Sequence, residues 1–98
     1  MPIFTEPTYV YILQLAGGKY YVGLTSRPAK RIPRHFKGSG AKWTKLNPPL
    51  AVAYISLGSS ELEKQLTLST MALYGWENVR GYCWTNSTSS FVKPKQLV

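Results

Sequence analysis

Acidic residues are scarce in this chain: four Asp plus Glu stand against twelve Lys plus Arg, giving a formal net charge of +8. Cysteine is scarcer still. The single Cys83 excludes an internal disulfide and a cysteine-rich zinc site, and suits a reducing compartment. No apolar run reaches the length needed to span a bilayer. The residues from Met1 to Glu6 lack the basic start and apolar stretch of a secretory signal. The expectation is a soluble cytoplasmic protein, or a nuclear one in a eukaryotic or viral host, without membrane attachment. Internal repeats are absent. With 98 residues there is room for one domain, residues 1–98, with its core at about 9–81 and an irregular tail over 82–98.

The apolar fraction, 44%, is ordinary for a folded domain and argues against wholesale disorder. A large cationic excess on so small a body favours polyanionic partners. No basic amphipathic helix points to a membrane surface instead. Solubility alone is the plainer account of the charge, and charge by itself says nothing of chemistry.

Patterning gives a short series of elements. Tyr9 to Leu15 is β-branched, aromatic and aliphatic, and reads as a strand. Ala16-Gly17-Gly18 supplies a tight turn, and Lys19 to Leu24 reads as the returning strand. Ser26 and Pro28 signal a helix start, and that helix should reach about Phe36 with a kink or restart at Pro33. Ala41 to Pro49 reads as a loop. Leu50 to Leu57 is apolar on both faces and reads as a central or doubly covered strand. A long helix then runs from Ser59 or Ser60 to about Tyr74, with Leu62, Leu66 and Leu73 on its buried stripe and Gly75 as its cap. The fold class is α/β: a small, mainly antiparallel three-stranded sheet flanked by helices, in the order β-β-α-β-α.

Tyr9-Val10-Tyr11 and Tyr21-Val22-Gly23, on successive strands of a Gly-Gly hairpin, resemble the paired tripeptides of the GIY-YIG nucleases. Tyr9 stands where that pattern has its first glycine. Arg31 and His35 follow four residues apart, so both lie on one face of the helix. The segment from Gly38 to Lys45 is similar to the Gly-x-Gly-x-x-Trp-Thr stretch of small stand-alone and viral members. Glu63 sits where their second helix carries a catalytic glutamate. The segment from Tyr74 to Gly81 resembles their Tyr-Gly-x-x-Asn-Val-Arg-Gly stretch. The resemblance covers nearly the whole chain, from Tyr9 to Gly81.

What the resemblance implies is a DNA endonuclease using one divalent ion, Mg²⁺ or Mn²⁺, bound by Glu63 and waters. Arg31 would neutralise the phosphate through its planar fork. Tyr11 would be the general base, with His35 and Tyr21 orienting it or the water. A free tyrosine titrates near ~10 and a free histidine near ~6.5, so His35 is the alternative base. Asn78 is the candidate polar residue that supports the glutamate or binds phosphate. Arg27, Lys30, Arg34, Lys42 and Lys45 are candidates for backbone contacts, and Trp43 for stacking on a base.

Each residue also has a structural reading. Tyr11 and Tyr21 suit a hairpin core, and Trp43 and Trp84 suit packing. Ser60 and Glu63 match a capping box, which would leave Glu63 serving a backbone N–H; with Ser59 as the cap it is free. Glu61 is the rival carboxylate. Asn86-Ser87-Thr88 has the form of a glycosylation sequon. Partners implied are DNA, including branched or single-stranded forms, and a second copy of the chain or a targeting protein. A catalytically silent nucleic-acid-binding module is the alternative function.

The charge carries its own test. Affinity for DNA should fall steeply between low and high salt, as counterion release requires, measured by fluorescence anisotropy. A salt-independent affinity would remove the backbone-binding role of the cations.

Overall fold

A computed structural model describes residues 6–97. The chain begins with the hairpin: β1 (Tyr9–Leu15) and β2 (Lys19–Thr25) pair antiparallel across a 3-10 turn at Ala16–Gly18. Gly17 and Gly18 take φ of 75° and 73°, a left-handed conformation that only glycine adopts without steric cost. Helix α1 (Pro28–Phe36) follows, then a short helix α2 (Lys42–Leu46), β3 (Pro49–Leu57) and the long helix α3 (Ser60–Tyr74). A 3-10 turn at Trp76–Asn78 leads into β4 (Val79–Gly81). The four strands form one sheet in the order β3-β1-β2-β4, with β3 antiparallel to β1 and β4 parallel to β2.

Strand alternation divides the core into two layers. Val10 and Val22 face α3, where they close with Met71 and Val79, and with Ile12, Leu62 and Leu66 around them. Tyr11, Leu13, Leu15 and Tyr21 face the other way and pack with Trp43 of α2 and Ile32 of α1. Each such side chain, fully buried, contributes roughly 1.5–3 kcal/mol. The hairpin thus presents both tyrosines to the layer beneath α1 and α2.

Five expectations change. The sheet has four strands rather than three, because a three-residue Val-Arg-Gly stretch carries no alternation to read and becomes a strand only by docking on β2. The expected loop after Gly40 contains α2, five residues being too few to show a period. Pro33 lies inside a single unbroken α1, without a restart. Leu73 is 72% exposed; Thr67, Thr70 and Met71 hold the buried stripe of α3. The largest change concerns β3, which is neither central nor covered. It forms the sheet's edge, with Leu50, Val52, Tyr54, Ile55 and Leu57 all exposed.

Pro49 to Leu57 contains no charged residue, so no charge in this edge discourages pairing with another strand. Lysine at the exposed Ala53 should therefore suppress aggregation on heating, read by light scattering, with stability changed by no more than about 0.5 kcal/mol. Unaltered aggregation would clear β3 of that liability.

Candidate active site

Arg31 and His35 lie one turn apart on the face of α1 that meets the tyrosines. His35 is fully buried. Its Nε2 lies 2.7 Å from the Tyr11 hydroxyl, and its Nδ1 lies 3.2 Å from Thr44 Oγ1. The Thr44 hydroxyl donates its own proton to the Ala41 carbonyl at 2.7 Å. Its oxygen is thus left to accept from Nδ1–H, which fixes the tautomer: Nε2 carries the lone pair and accepts from the Tyr11 hydroxyl.

Two glycines make room for this pair. A Cβ on Gly23, the cross-strand partner of Tyr11, would collide with the end of the phenol ring. One on Gly40 would collide with Nδ1 of His35. The glycine of the Tyr-Val-Gly tripeptide and the second glycine of Gly-Ser-Gly therefore serve as empty volume for the side chains beside them. The Tyr21 ring completes the group, its centre 6.3 Å from that of Tyr11 and 5.1 Å from that of His35.

Arg31 is half-buried, and its positive charge favours the ionised forms of both tyrosines. Glu63 enters from α3, also half-buried. Ser59 is the N-cap of α3 and makes no side-chain cap bond, so the capping-box reading does not hold and Glu63 is released from it. Burial raises the Glu63 carboxyl above its ordinary range, and the backbone N–H of Tyr82 opposes the rise. Tyr82 is the one non-glycine among the described residues with a left-handed φ, 55°. Glu61 is exposed and accepts from Gln65 instead.

Burial is the first cause of the other shifts as well. It raises Tyr11, and proximity to Tyr21 adds to the rise while Arg31 counters it. Tyr21 is raised by burial, against the pull of Arg31. His35 is pushed down to about 4 by burial and then by the Arg31 charge. The phenol and the imidazole are consequently both neutral at rest.

These residues form one constellation, and it lies within a recognisable sequence span. The family model of the GIY-YIG catalytic domain matches residues 7–69. The chain belongs to the GIY-YIG family. Among its relatives, a UPF0213 protein of Streptococcus pyogenes serotype M5 is 33% identical over 70 residues, 71% of this chain and 73% of that protein. A UPF0213 protein of Xanthomonas campestris pv. campestris is 40% identical over 47 residues, 48% and 46% of the two chains, and one of Xanthomonas axonopodis pv. citri is 38% identical over 45 residues, 46% and 44%. The chain thus spans about half the length of the two Xanthomonas relatives. No solved structure matches.

In this GIY-YIG domain, the structure brings together Tyr11, Tyr21, Arg31, His35 and Glu63. It does not bring Asn78. That side chain accepts from Lys19 Nζ at 2.7 Å and donates to the Tyr74 carbonyl at 2.8 Å, tying the start of β2 to the end of α3. Trp43 is also not free for stacking on a base, being 7% exposed with its indole N–H on the Tyr20 carbonyl. Arg27, Lys30, Arg34, Lys42 and Lys45 are all exposed, on α1, its N-terminal cap and α2. Thr44, Gly40 and the Tyr82 backbone were not singled out from sequence. A threonine in a five-residue helix and a strained tyrosine after a three-residue strand leave no periodic signal.

Among the described residues no group of three or more His, Cys, Asp or Glu gathers in a way that could hold a metal. None of their helices is long and apolar enough to cross a membrane.

The buried histidine sets a measurable pH dependence. Unfolded, His35 would titrate near ~6.5; folded, it resists protonation until about pH 4. The unfolded chain binds the extra proton between these values, so stability should fall by on the order of 3 kcal/mol as pH drops through that window, and level off below it. Gly40→Ala, which displaces the ring, should return the titration toward the free value. An imidazole NMR titration follows both; a wild-type midpoint near the free value would contradict the buried, neutral His35.

Proposed function

We propose that the chain is a divalent-metal-dependent endonuclease that hydrolyses DNA phosphodiester bonds, either without sequence preference or by selecting DNA structure. The observation that carries this reading is the hydrogen-bonded Tyr11–His35 pair beneath Arg31, with one carboxylate alongside.

The donor set suits a hard cation with few protein ligands. Glu63 is half-buried, and no basic side chain of the described residues pairs with it. An ionised carboxylate in that position gains from a cation, and magnesium keeps most of its water shell when it binds. Glu63 would hold the ion. When bound, it would polarise the scissile phosphate and favour departure of the leaving oxygen.

The remaining chemistry belongs to the side chains. Arg31, half-buried like Glu63, offers a planar fork to the non-bridging oxygens. As the attacking water forms its bond to phosphorus and the phosphorus–oxygen ester bond breaks, Tyr11 takes the water proton and passes its own to His35 Nε2. Thr44 holds the imidazole in the tautomer that can accept it.

At rest this transfer is unfavourable, because burial and, second to it, the Arg31 charge depress His35. A bound phosphate offsets that charge and makes the imidazole a better acceptor. Substrate binding thereby activates the base. The exposed cations of α1 and α2 hold the flanking backbone.

Plasmid nicking and cleavage of single-stranded DNA in Mg²⁺ or Mn²⁺ test the proposal. Glu63→Ala should lose metal-dependent cleavage and keep DNA binding. Tyr11→Phe should lose about a hundredfold or more in rate, and Thr44→Val less. Near-normal cleavage by Tyr11→Phe with none by His35→Ala would move the base to His35. A wild-type protein that binds these DNAs and cuts none would leave the silent-module reading or a nuclease subunit that needs a targeting partner.

A further inference from the structure

Arg80 is a cation folded into the protein without a counter-charge. Only 4% of it is exposed. Its guanidinium carbon lies over two aromatic rings, 4.2 Å from the centre of Trp43 and 3.7 Å from that of Phe91. Nε donates to the Asn86 carbonyl at 2.6 Å. Nη1 donates to the carbonyls of Glu77 and Val79, both at 3.0 Å, and more weakly to that of Trp76 at 3.4 Å. Among the described residues no carboxylate pairs with it, and Nη2 donates to none of them.

Nη2 is nevertheless not sealed in, since none of the buried side-chain nitrogens there lacks a partner. Arg80 lines a cavity of about 250 Å³, and Nη2 is its one guanidinium nitrogen without a hydrogen-bond partner among the described residues. Ser87 and Ser89 stand on its wall, and their hydroxyls have no partner among the described residues. Thr88, between them, is committed to Asn86 and Ser90. Glu77 is also at the cavity but is exposed and turned away from any pairing with Arg80.

An arginine fixed in this way recognises one kind of group: an anionic oxygen that accepts from Nη2 and from neighbouring hydroxyls. In a dry, aromatic-walled setting its charge also acts with little screening. Arg80 is the register partner of Tyr21 in the β2–β4 pair, and paired residues of parallel strands point to the same face, about 4.8 Å apart. Trp43, which lines the cavity, packs in the same layer as Tyr11 and Tyr21, so cavity and cluster share the tyrosine face of the sheet and are linked through Trp43.

We propose that this cavity binds a phosphate of the DNA strand beside the one positioned for cleavage, with Arg80 Nη2 and the hydroxyls of Ser87 and Ser89 as its donors. The site rests on the reading that the protein acts on DNA. It gives the enzyme a second fixed point on the strand, so register along the backbone is set by two phosphates rather than one.

Replacing Arg80 would strand four carbonyls, so the test uses Ser89→Glu, an exposed position whose carboxylate can pair with Nη2 and fill the site. Binding is measured without divalent metal to single-stranded oligonucleotides in which one linkage at a time is a neutral methylphosphonate. In the wild type, neutralising one particular linkage should weaken binding about tenfold. In Ser89→Glu that position-specific loss should vanish, with overall binding already weakened about tenfold.

In parallel, inorganic phosphate should shift the Arg80 Nε–H resonance of the wild type and leave that of Ser89→Glu in place. A shift with phosphate but equal loss at every linkage would make this a site for free phosphate and overturn the DNA contact. Equal loss at every linkage with no phosphate shift would leave the cavity without a ligand. Equal loss combined with cleavage that depends on Glu63 would retain the nuclease and discard this site, whereas an oligonucleotide that does not bind at all would remove both.

Discussion

A phenol hydroxyl and an imidazole nitrogen held 2.7 Å apart in a dry interior constrain much of what surrounds them. Neither ring can be buried without a partner for its polar atoms. The Tyr11 hydroxyl has His35, and His35 has Thr44, whose proton goes to the Ala41 carbonyl. That chain of bonds explains why a five-residue helix follows α1 and why two positions beside the rings lack a side chain. It also explains why the pair is electrically silent alone, with the tyrosine raised and the histidine lowered by the same burial. Arg31 and Glu63, at the edge of the dry region, are the groups that a ligand's charge reaches first.

The hairpin, α1 and α3 were legible in the sequence because each carries a local signal. Gly17-Gly18 marks the turn, Pro28 opens α1, and Gly75 closes α3. The five side chains that gather were legible through the family resemblance, in which order and spacing stand in for geometry. What escaped depends on contacts between distant segments. β4 has three residues and exists by docking on β2. The edge position of β3 reverses what its apolar composition suggested, since composition reports what a strand can bury and not whether anything covers it. Asn78 sat in the right motif, yet its amide is used to join Lys19 to the Tyr74 carbonyl.

Charge is distributed with the same division of labour. Five exposed cations of α1, its cap and α2 act through solvent, where each contact is weak and screened. Arg80 is withdrawn from water and Arg31 is half-buried, so both act at short range. On the nuclease reading proposed above, the first group would gather a polyanion and the second would hold it in place, combining loose capture with exact placement of a phosphate.

The parallel docking of β4 bears on when the domain becomes complete. A chain growing from its N-terminus contains Tyr11, Tyr21, Arg31, His35 and Glu63 before it contains Val79 to Gly81. Until that last strand pairs with β2, Glu63 has no Tyr82 N–H beside it, and the slot between Trp43 and Phe91 has no arginine. All five side chains can therefore be present in a chain whose site is still unfinished. Completion of the centre thus waits on β4, which acts as a clasp on residues that precede it in the chain.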